Sequence, residues 1–589
     1  MIVQALQDIQ RRHGFLPTDE LRSLSKRTGT PLYRLHEVAS FFPHFRRDEP
    51  PQFEVKVCRD MSCHLRGSDA ILKRLQSFAQ GVDKKQLHVE GVSCLGRCDR
   101  APIATVIAGH HPRNYVQRSA EELCTIIQQT MAGSPPTPNE DASFPDQSPT
   151  WQIDVYQGQP KYSAIRRYID SPDKPAEKQR IIKALEAAGL IGMGGAGGRT
   201  FKKWSEVLEA AGDEKYVVIN GDESEPGTFK DRELLLRTPW LVLEGIILGG
   251  LVVGAKHGYI YIRHEYEEQI ETMEKAIKEA EKLGFCGKNI LGSDLSFPVE
   301  VFVSPGGYIC GEQTALIEAM QDKRAEPRNR PPELQTNGLW DKPTLLNNVE
   351  TMAWVPAVVL REEGTWYASQ GTGGGAGRGR RFFSISGDLN RPGAYEVHSG
   401  ITLRQFIIDY CGGMRDGQEL KAFAPSGPSG GFLPRMLPVK YLTEKFRKAK
   451  LPDDATHFDI LDLELDTNVF REMTNRNQVF MLGGGMVVYG EKADMVEQAL
   501  SCQKFYRNES CGKCVPCRIG SQKLVEIGSD LHQKKYTAEA LKAERESIKE
   551  LGETMVLTAI CGLGTVAPNP LTSVLEHFPA DVERYLNGR

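Results

Sequence analysis

Basic side chains do not outnumber acidic ones in this chain of 589 residues: 73 Lys and Arg stand against 77 Asp and Glu, a formal net charge of −4. No field over the whole molecule therefore gathers nucleic acid or an anionic membrane, and a protein or small-molecule partner is favoured. Residues 1–10 lack a basic n-region and an apolar h-region, so no secretion signal is expected and the cytoplasm is the expected location. No apolar run reaches the roughly 20 residues that a membrane-spanning helix needs. The longest, Trp240 to Ala255, is interrupted by Glu244 and four glycines and reads as a buried helix. No internal repeat of useful length is present. Thirteen cysteines without a secretion signal argue against a disulfide framework and for metal or cluster ligation.

A prior of about 150 residues per domain suggests three or four domains. Residues 1–47 have helical periodicity (Leu6, Ile9 and Phe15; Leu21 and Leu24; Leu35, Val38 and Phe41) and suggest a small helical bundle. A strand-like alternation over Phe53–Val57, a helix over Ala70–Phe78 and an extended run over Ile103–Ile107 complete an α/β unit, residues 1–131 in all. Pro, Ser, Asn and Asp between Gly133 and Thr150 suggest a linker, taken as 132–175. Over 176–370 short apolar strands (Tyr216–Ile219, Gly258–Ile262, Val299–Val303) alternate with helical stretches, the pattern of a layered α/β domain. The run Gly371–Arg380 reads as a second joint. A small β-rich domain with one helix, Leu403–Cys411, is expected over 381–483 and a helical domain over 484–589.

Cys58 and Cys63 are spaced C-x4-C, and Cys94 and Cys98 C-x3-C within CLGRC. Four thiolates on two loops suit a 2Fe-2S cluster, with zinc the alternative, although zinc sites usually use tighter C-x2-C hooks. Cys511, Cys514 and Cys517 form C-x2-C-x2-C, and Cys561 follows within ICGLG. Three cysteines at that spacing wrap one corner of a 4Fe-4S cubane and a distant fourth closes it. A zinc site of three cysteines and a histidine is disfavoured, because no His lies between His457 and His532. Cys124, Cys286, Cys310, Cys411 and Cys502 read as small buried residues.

Three loops carry the remaining chemistry. Gly189 to Gly198 includes Gly192, Gly194, Gly195 and Gly197 and runs into Lys203, and glycines let backbone amides approach a phosphate. Strand Tyr216–Ile219 opens into Asn220, Asp222, Glu223 and Glu225, whose crowded carboxylates invite a hydroxyl-bearing ligand such as a ribose or ribityl chain. A third glycine loop holds Tyr308, Gly311, Glu312 and Gln313.

Together GMGGAG from Gly192, NGDESEPGTFKDR from Asn220, GGYICGEQTAL from Gly306, KPTLLNNVET from Lys342, ESCGKCVPCR from Glu509 and ICGLG from Ile560 resemble the NADH-binding flavoprotein subunit of respiratory complex I. The resemblance extends to the diaphorase subunits of NAD-linked formate dehydrogenases and hydrogenases. It covers 176–589, and residues 1–131 resemble the thioredoxin-like 2Fe-2S subunit that accompanies it. It implies FMN, a 2Fe-2S and a 4Fe-4S cluster, and NAD(H) or NADP(H) as substrate. By matching position, Gly192, Gly194, Lys203, Asn220, Asp222, Tyr308, Asn347 and Asn348 would hold FMN. Glu223 and Glu225 would line the space shared by flavin and nicotinamide, and Gly195, Gly197, Gly311, Glu312 and Gln313 complete the candidate set. A ubiquitin-like β domain and a helical bundle around the cubane are implied as well. So is a hetero-oligomer with a catalytic redox subunit: a molybdenum or tungsten formate dehydrogenase, a hydrogenase or a complex-I-like enzyme. No general acid or base is required.

The departures are specific. Gly198 and Glu333 stand where relatives carry aromatics beside the nucleotide, Gln313 where they carry a second glutamate, and Arg330 where they carry lysine. Residues Val439 to Asn475 make the β domain longer than the resemblance implies. The missing rings motivate a second reading, an electron-transfer subunit that binds no nicotinamide nucleotide. A zinc-stabilised scaffold without redox chemistry is a third.

Overall fold

The structure is a computed structural model, and it describes residues 1–109, 111–139, 150–372, 378–474 and 480–587. Helices α1 (Ile2–His13), α2 (Thr18–Thr28) and α3 (Leu32–Phe41) bury Val3, Leu6, Ile9, Leu21, Leu24, Leu35 and Val38 at helical spacing. Their apolar faces do not close on the cysteine-bearing unit alone, from which Met61 joins them. They join one core with Tyr216, Val218, Tyr261 and Phe302 of the central domain, and the Gln7 amide donates to the Val303 carbonyl at 3.0 Å. The helices of the expected unit 1–131 thus also dock on the central domain, because an amphipathic bundle this small buries its stripe on the largest apolar surface within reach.

The second unit is a four-stranded sheet of order β2-β1-β3-β4: β1 (Phe53–Cys58), β2 (Leu87–Val92), β3 (Ile103–Ala108) and β4 (His111–Val116). Helices α4 (Met61–Leu65), α5 (Ser68–Ala79) and α6 (Ala120–Met131) accompany it, α6 opening on a Ser119–Glu122 capping box. Strands β2 and β4 escape the sequence reading, β2 because Glu90 and Gly91 break its apolar run and β4 because it starts on His111-Pro112.

The expected linker 132–175 is corrected in its second half; residues 140–149 lie outside the described residues. Trp151, Ile153, Tyr156 and Tyr162 are buried, and α7 (Ser163–Asp170) packs Ile165 and Tyr168 into the central core. A few large rings bury more area than the surrounding polar composition suggests. Their anchor is Glu244, fully buried within α11 (Pro239–Val253), which accepts hydrogen bonds from Tyr156 Oη at 2.5 Å, Ala164 N at 2.9 Å and Ile165 N at 3.3 Å.

The central domain stacks the parallel sheet β7-β6-β5-β8 between helices: β5 (Tyr216–Gly221), β6 (His257–Arg263), β7 (Val299–Ser304) and β8 (Thr344–Asn348). Burial on both faces gives the central strands β5 and β6 nearly continuous buried runs. Helix α8 (Lys174–Ala188) precedes the first glycine loop and α9 (Thr200–Glu209) follows it; α10 (Lys230–Arg237) follows the acidic loop, α12 (Glu267–Lys282) links β6 to β7, and α13 (Gln313–Met320) follows the third loop. Helix α11, the longest apolar run, is buried as expected, and among the described residues no single helix is long and apolar enough to cross a membrane.

Residues 373–377 of the expected joint lie outside the described residues. Beyond it, β9 (Arg380–Gly387), β10 (Gly393–His398), β11 (Leu420–Pro428) and β12 (Leu433–Pro434) form a sheet whose centre is a later strand. Strands β13 (Met436–Pro438) and β14 (His457–Asp459) pair as a separate ribbon. The boundary expected at 483/484 is corrected: β15 (Gly485–Gly490) lies between β9 and β11, so the β domain reaches Gly490. A short apolar run before a helix does not reveal that its partners lie a hundred residues upstream. The long stretch from Val439 carries the helices Glu444–Lys450 and Thr467–Met473, its last residue, Asn475, falling outside the described ones. Helices Met495–Glu509, Val515–His532, Ala538–Thr558 and Asn569–His577 close the chain.

Burial pushes the Glu244 carboxyl up to about 7. A carboxyl with a folded pKa above its unfolded one takes up a proton on folding, so its contribution to stability falls as pH rises from about 4.5 to 7. Glu244→Gln is expected to remove that part of the slope, measured as denaturation midpoint against pH. Glu244→Ala, which strands three buried donors, is expected to cost about 3 kcal/mol and to open residues 151–170 to limited proteolysis.

Candidate functional site

In a parallel sheet the loops at the carboxyl ends of the strands form the binding crevice. Here β5 and β8 end side by side, with Ile219 opposite Asn347 and Asn220 opposite Asn348. The first glycine loop closes over them through Gly192 N to the Gly198 carbonyl at 2.7 Å and Met193 N to Thr351 Oγ1 at 2.9 Å. A Cβ on Gly194 would lie 3.3 Å from Asn348 Cβ, so that glycine permits the closure. Lys203 Nζ reaches Gln313 Oε1 at 2.9 Å, Asn220 Nδ2 reaches the Gly311 carbonyl at 2.8 Å, and Trp204 Nε1 reaches Asn347 Oδ1 at 3.2 Å. The three loops expected to act together are thus in contact. Burial, helped by Arg330, pulls Lys203 down to about 8, which leaves it charged at neutral pH.

The crowded carboxylates are only partly available to a ligand. Glu223 accepts from Asp231 N at 2.9 Å, Arg232 N at 3.0 Å and Tyr266 Oη at 3.1 Å, capping α10 from within the protein. Glu225 accepts from Tyr308 Oη and from Ser429 N. Asn348 is held by Asp231 Oδ2 at 2.6 Å, and Glu312 caps α13 through Thr314 N and Ala315 N and pairs with Arg330 at 2.9 Å. The expectation that ligand hydroxyls must relieve three repelling acids is corrected: backbone amides and phenols do most of it. Burial also pushes Asp222, Glu223 and Glu225 each up to about 7. Asp222 alone keeps a buried acceptor, Oδ2, without a partner.

Cys58 ends β1, Cys63 lies in α4, and Cys94 and Cys98 flank the loop after β2; all four are buried. Cys94 and Cys98 Sγ are 3.4 Å apart, and hydrogen bonds from the Cys58 and Cys98 thiols hold Cys94 well below the thiol range. This pocket is not internal to its own unit. Gly227 N, at the end of the acidic loop, donates to Cys98 Sγ at 3.2 Å. Arg232, buried in α10, donates to the Gly96 carbonyl at 2.6 Å and pairs with Asp99 at 2.9 Å, while Arg263 donates to the Cys94 carbonyl at 2.7 Å.

Cys511, Cys514, Cys517 and Cys561 line one pocket together with Ile309, Pro327 and Leu563. Burial pushes Cys517 up to about 11 and Cys561 to about 12, so each stays a thiol until iron displaces the proton. Among the described residues no group of three or more His, Cys, Asp or Glu is placed to hold a single metal ion, whereas sulfurs spread around a cavity suit a cluster with its own sulfide. Glu509 joins the two regions: its carboxylate accepts from Ser93 Oγ at 2.5 Å and from Tyr308 N at 2.8 Å, two residues before Cys511.

Three family models match the chain in order: the thioredoxin-like [2Fe-2S] ferredoxin over residues 1–130, the Nuo51 FMN-binding domain over 185–357 and the NADH-ubiquinone oxidoreductase-F iron-sulfur binding region over 497–585. The F subunit of the NADH-quinone oxidoreductase of Aquifex aeolicus is 37% identical over 434 residues, 74% of this chain and 91% of that protein. The chain belongs to the family of NADH-quinone oxidoreductase F subunits. The HndC subunit of the NADP-reducing hydrogenase of Solidesulfovibrio fructosivorans is also 37% identical, over 70% of this chain and 77% of its own length. A crystal structure of an air-oxidised NAD+-reducing [NiFe]-hydrogenase aligns with 99% of this chain and 94% of its own, at TM-score 0.80 and 28% identity.

As a member of that family the protein is an NAD-linked flavin and iron-sulfur oxidoreductase component with FMN, one 2Fe-2S and one 4Fe-4S centre. Its residues fit these groups. A Cβ on Gly198 would meet open space, and Asp222 Oδ2 offers a hydroxyl an acceptor. The scaffold and the reading without a nucleotide are set aside. Arg232, Arg263 and Glu509 were given no role by the sequence, since a charge in a helix or strand reads as solvated until its burial is known.

Arg232→Ala is expected to remove the cation that Asp99 and Glu233 share, leaving Glu233 to Arg237 and Asp99 to the more distant Arg100, at a cost of about 3 kcal/mol. The expected result is a lower denaturation midpoint and loss of the 2Fe-2S signal in electron paramagnetic resonance, with FMN content retained.

Proposed function

We propose that this chain is the diaphorase subunit of a larger cytoplasmic enzyme, exchanging electrons between a nicotinamide nucleotide and a catalytic redox partner. The observation that carries the reading is the contact of the three sites through Gly227, Tyr308 and Glu509. Bound FMN supplies the conversion of a hydride pair into single electrons. The chain's own part is to hold and orient. Asn220, Asp222, Asn347, Asn348 and Tyr308 would position the flavin, Lys203 and the glycine loop its phosphate end, and Cys58, Cys63, Cys94 and Cys98 the nearer cluster. Cys511, Cys514, Cys517 and Cys561 would hold the second. Close in sequence to these cysteines Val515, Ile519 and Leu557 are exposed, Leu557 to 82%, and exposed apolar side chains suit the iron-sulfur surface of the partner. A formate dehydrogenase, a hydrogenase or a complex-I-like enzyme would each serve, and the hydrogenase relatives support the second.

The test is anaerobic addition of NADH, which is expected to bleach the flavin and reduce both clusters. Cys514→Ala is expected to abolish the cubane signal while the flavin still bleaches; a full 4Fe-4S signal in that variant would refute the ligand assignment.

Nucleotide choice follows from Gln313. A neutral amide bonded to Lys203 removes the repulsion that a carboxylate there would exert on a 2′-phosphate, and the NADP-reducing relative supports relaxed choice. At an effective dielectric near 20, one charge about 4 Å away is worth roughly 4 kcal/mol before screening. NADPH is therefore expected to be accepted measurably, and Gln313→Glu to raise the NADH to NADPH ratio of kcat/KM at least about tenfold. An unchanged ratio would remove Gln313 from nucleotide choice.

A further inference from the structure

Resting on the nucleotide reading above, we infer that Arg471 binds a phosphate of the dinucleotide at the rim of the first glycine loop. The helix Thr467–Met473 is pinned at its start by Asp466, which accepts from Asn468 N at 2.7 Å and Val469 N at 3.3 Å. Phe470 and Met473, one turn apart, are buried in the β domain's core. Arg471, on a different face, is turned outward across the domain boundary, and a Cβ on Gly197 would lie 3.4 Å from its Nη2. Among the described residues it has no hydrogen-bond or ion-pair partner. The segment it faces, Gly189–Trp204, holds Arg199, Lys202 and Lys203 and no carboxylate, and α9 begins there without a side-chain cap. A carboxylate-free glycine loop, a helix N-terminus and an unpaired guanidinium beside Gly197 make an anion site, and a guanidinium suits phosphate in its planar, forked geometry.

The site's depth selects which phosphate. Asp222 and Asn347, where a resident flavin would be gripped, are buried, whereas Gly198 and Arg471 are exposed at the rim, where an exchanging substrate enters. The side chain comes from the stretch that lengthens the β domain, so the extra residues supply a nucleotide contact close to the position where Gly198 has no ring.

The experiment uses FMN-loaded full-length protein and its Arg471→Ala and Arg471→Lys variants. NAD+ and NADP+ affinities are read by flavin fluorescence, KM and kcat for NADH and NADPH with an artificial acceptor, and FMN per chain. Loss of one charge-assisted contact is expected to raise Kd and KM of both nucleotides roughly tenfold or more in Arg471→Ala, with kcat and FMN content unchanged. Arg471→Lys is expected to recover most of the loss. An effect confined to NADP+ and NADPH upholds phosphate binding and places it at the 2′-phosphate. Wild-type affinities in Arg471→Ala overturn the inference, and so does loss of FMN, which would assign the side chain to the flavin phosphate. Failure of NADH to bleach even the wild type would instead sink the functional reading beneath it.

Discussion

The geometry of this protein depends on two buried guanidiniums holding one loop. Arg232 and Arg263 reach the carbonyls of Gly96 and Cys94 from the central domain, and both are nearly inaccessible to water. A buried cation is tolerated only when paired and hydrogen-bonded, and these are: Arg232 with Asp99 and Glu233, Arg263 with Glu265 and the Glu223 carbonyl. Although Glu233 is buried, Arg232 and Arg237 pull it down to about 2, so the network stays ionised through the physiological range. Withdrawing the cysteine loop would strand charges on both sides. The first cluster site is thereby fixed against the central domain, with Gly227 N–H reaching a cysteine sulfur, Cys98 Sγ, directly.

The acidic loop is electrostatically unlike its appearance. Asp222, Glu223 and Glu225 would carry three charges in water, but burial raises each to about 7, and amides or phenols occupy most of their oxygens. Near neutral pH the crevice floor is therefore less negative than its composition suggests, which lowers its repulsion of an anionic phosphate end. Lys203, charged below about 8, adds to that balance from the glycine-loop side. The loop reads best as a rigid frame that keeps one free acceptor, Asp222 Oδ2, for the ligand.

Local signals in the sequence reveal the cysteine spacings, the three loops, the parallel strands and the buried α11, because ligation and periodicity are short-range properties. Long-range partnership is not legible there. Strand β15 belongs to a sheet begun at Arg380, and Trp151 to Tyr168 pack beneath Glu244 despite a polar context. The packing of the first three helices on Tyr216 and Phe302 is hidden for the same reason: an amphipathic stripe declares that it will be buried and not against what. Glu509 opens a recognised motif, yet only the fold discloses that its two oxygens reach Ser93 and Tyr308.

Covalent fusion of the cysteine unit to the flavin domain adds effective concentration, which for a short flexible link is of millimolar order and independent of contact quality. Fusion alone would leave distance and orientation to vary, whereas electron exchange needs them constant. Here the chain does both. Residues 151–170 are sewn to α11 by Glu244, and the cysteine loop is held by the buried arginines and by Glu509. The link ensures encounter, and the charged, water-excluded contact selects one geometry from those the link allows. Sites that a sequence reading divides into separate units are therefore joined, the flavin crevice and both cysteine sets touching through Gly227, Tyr308 and Glu509.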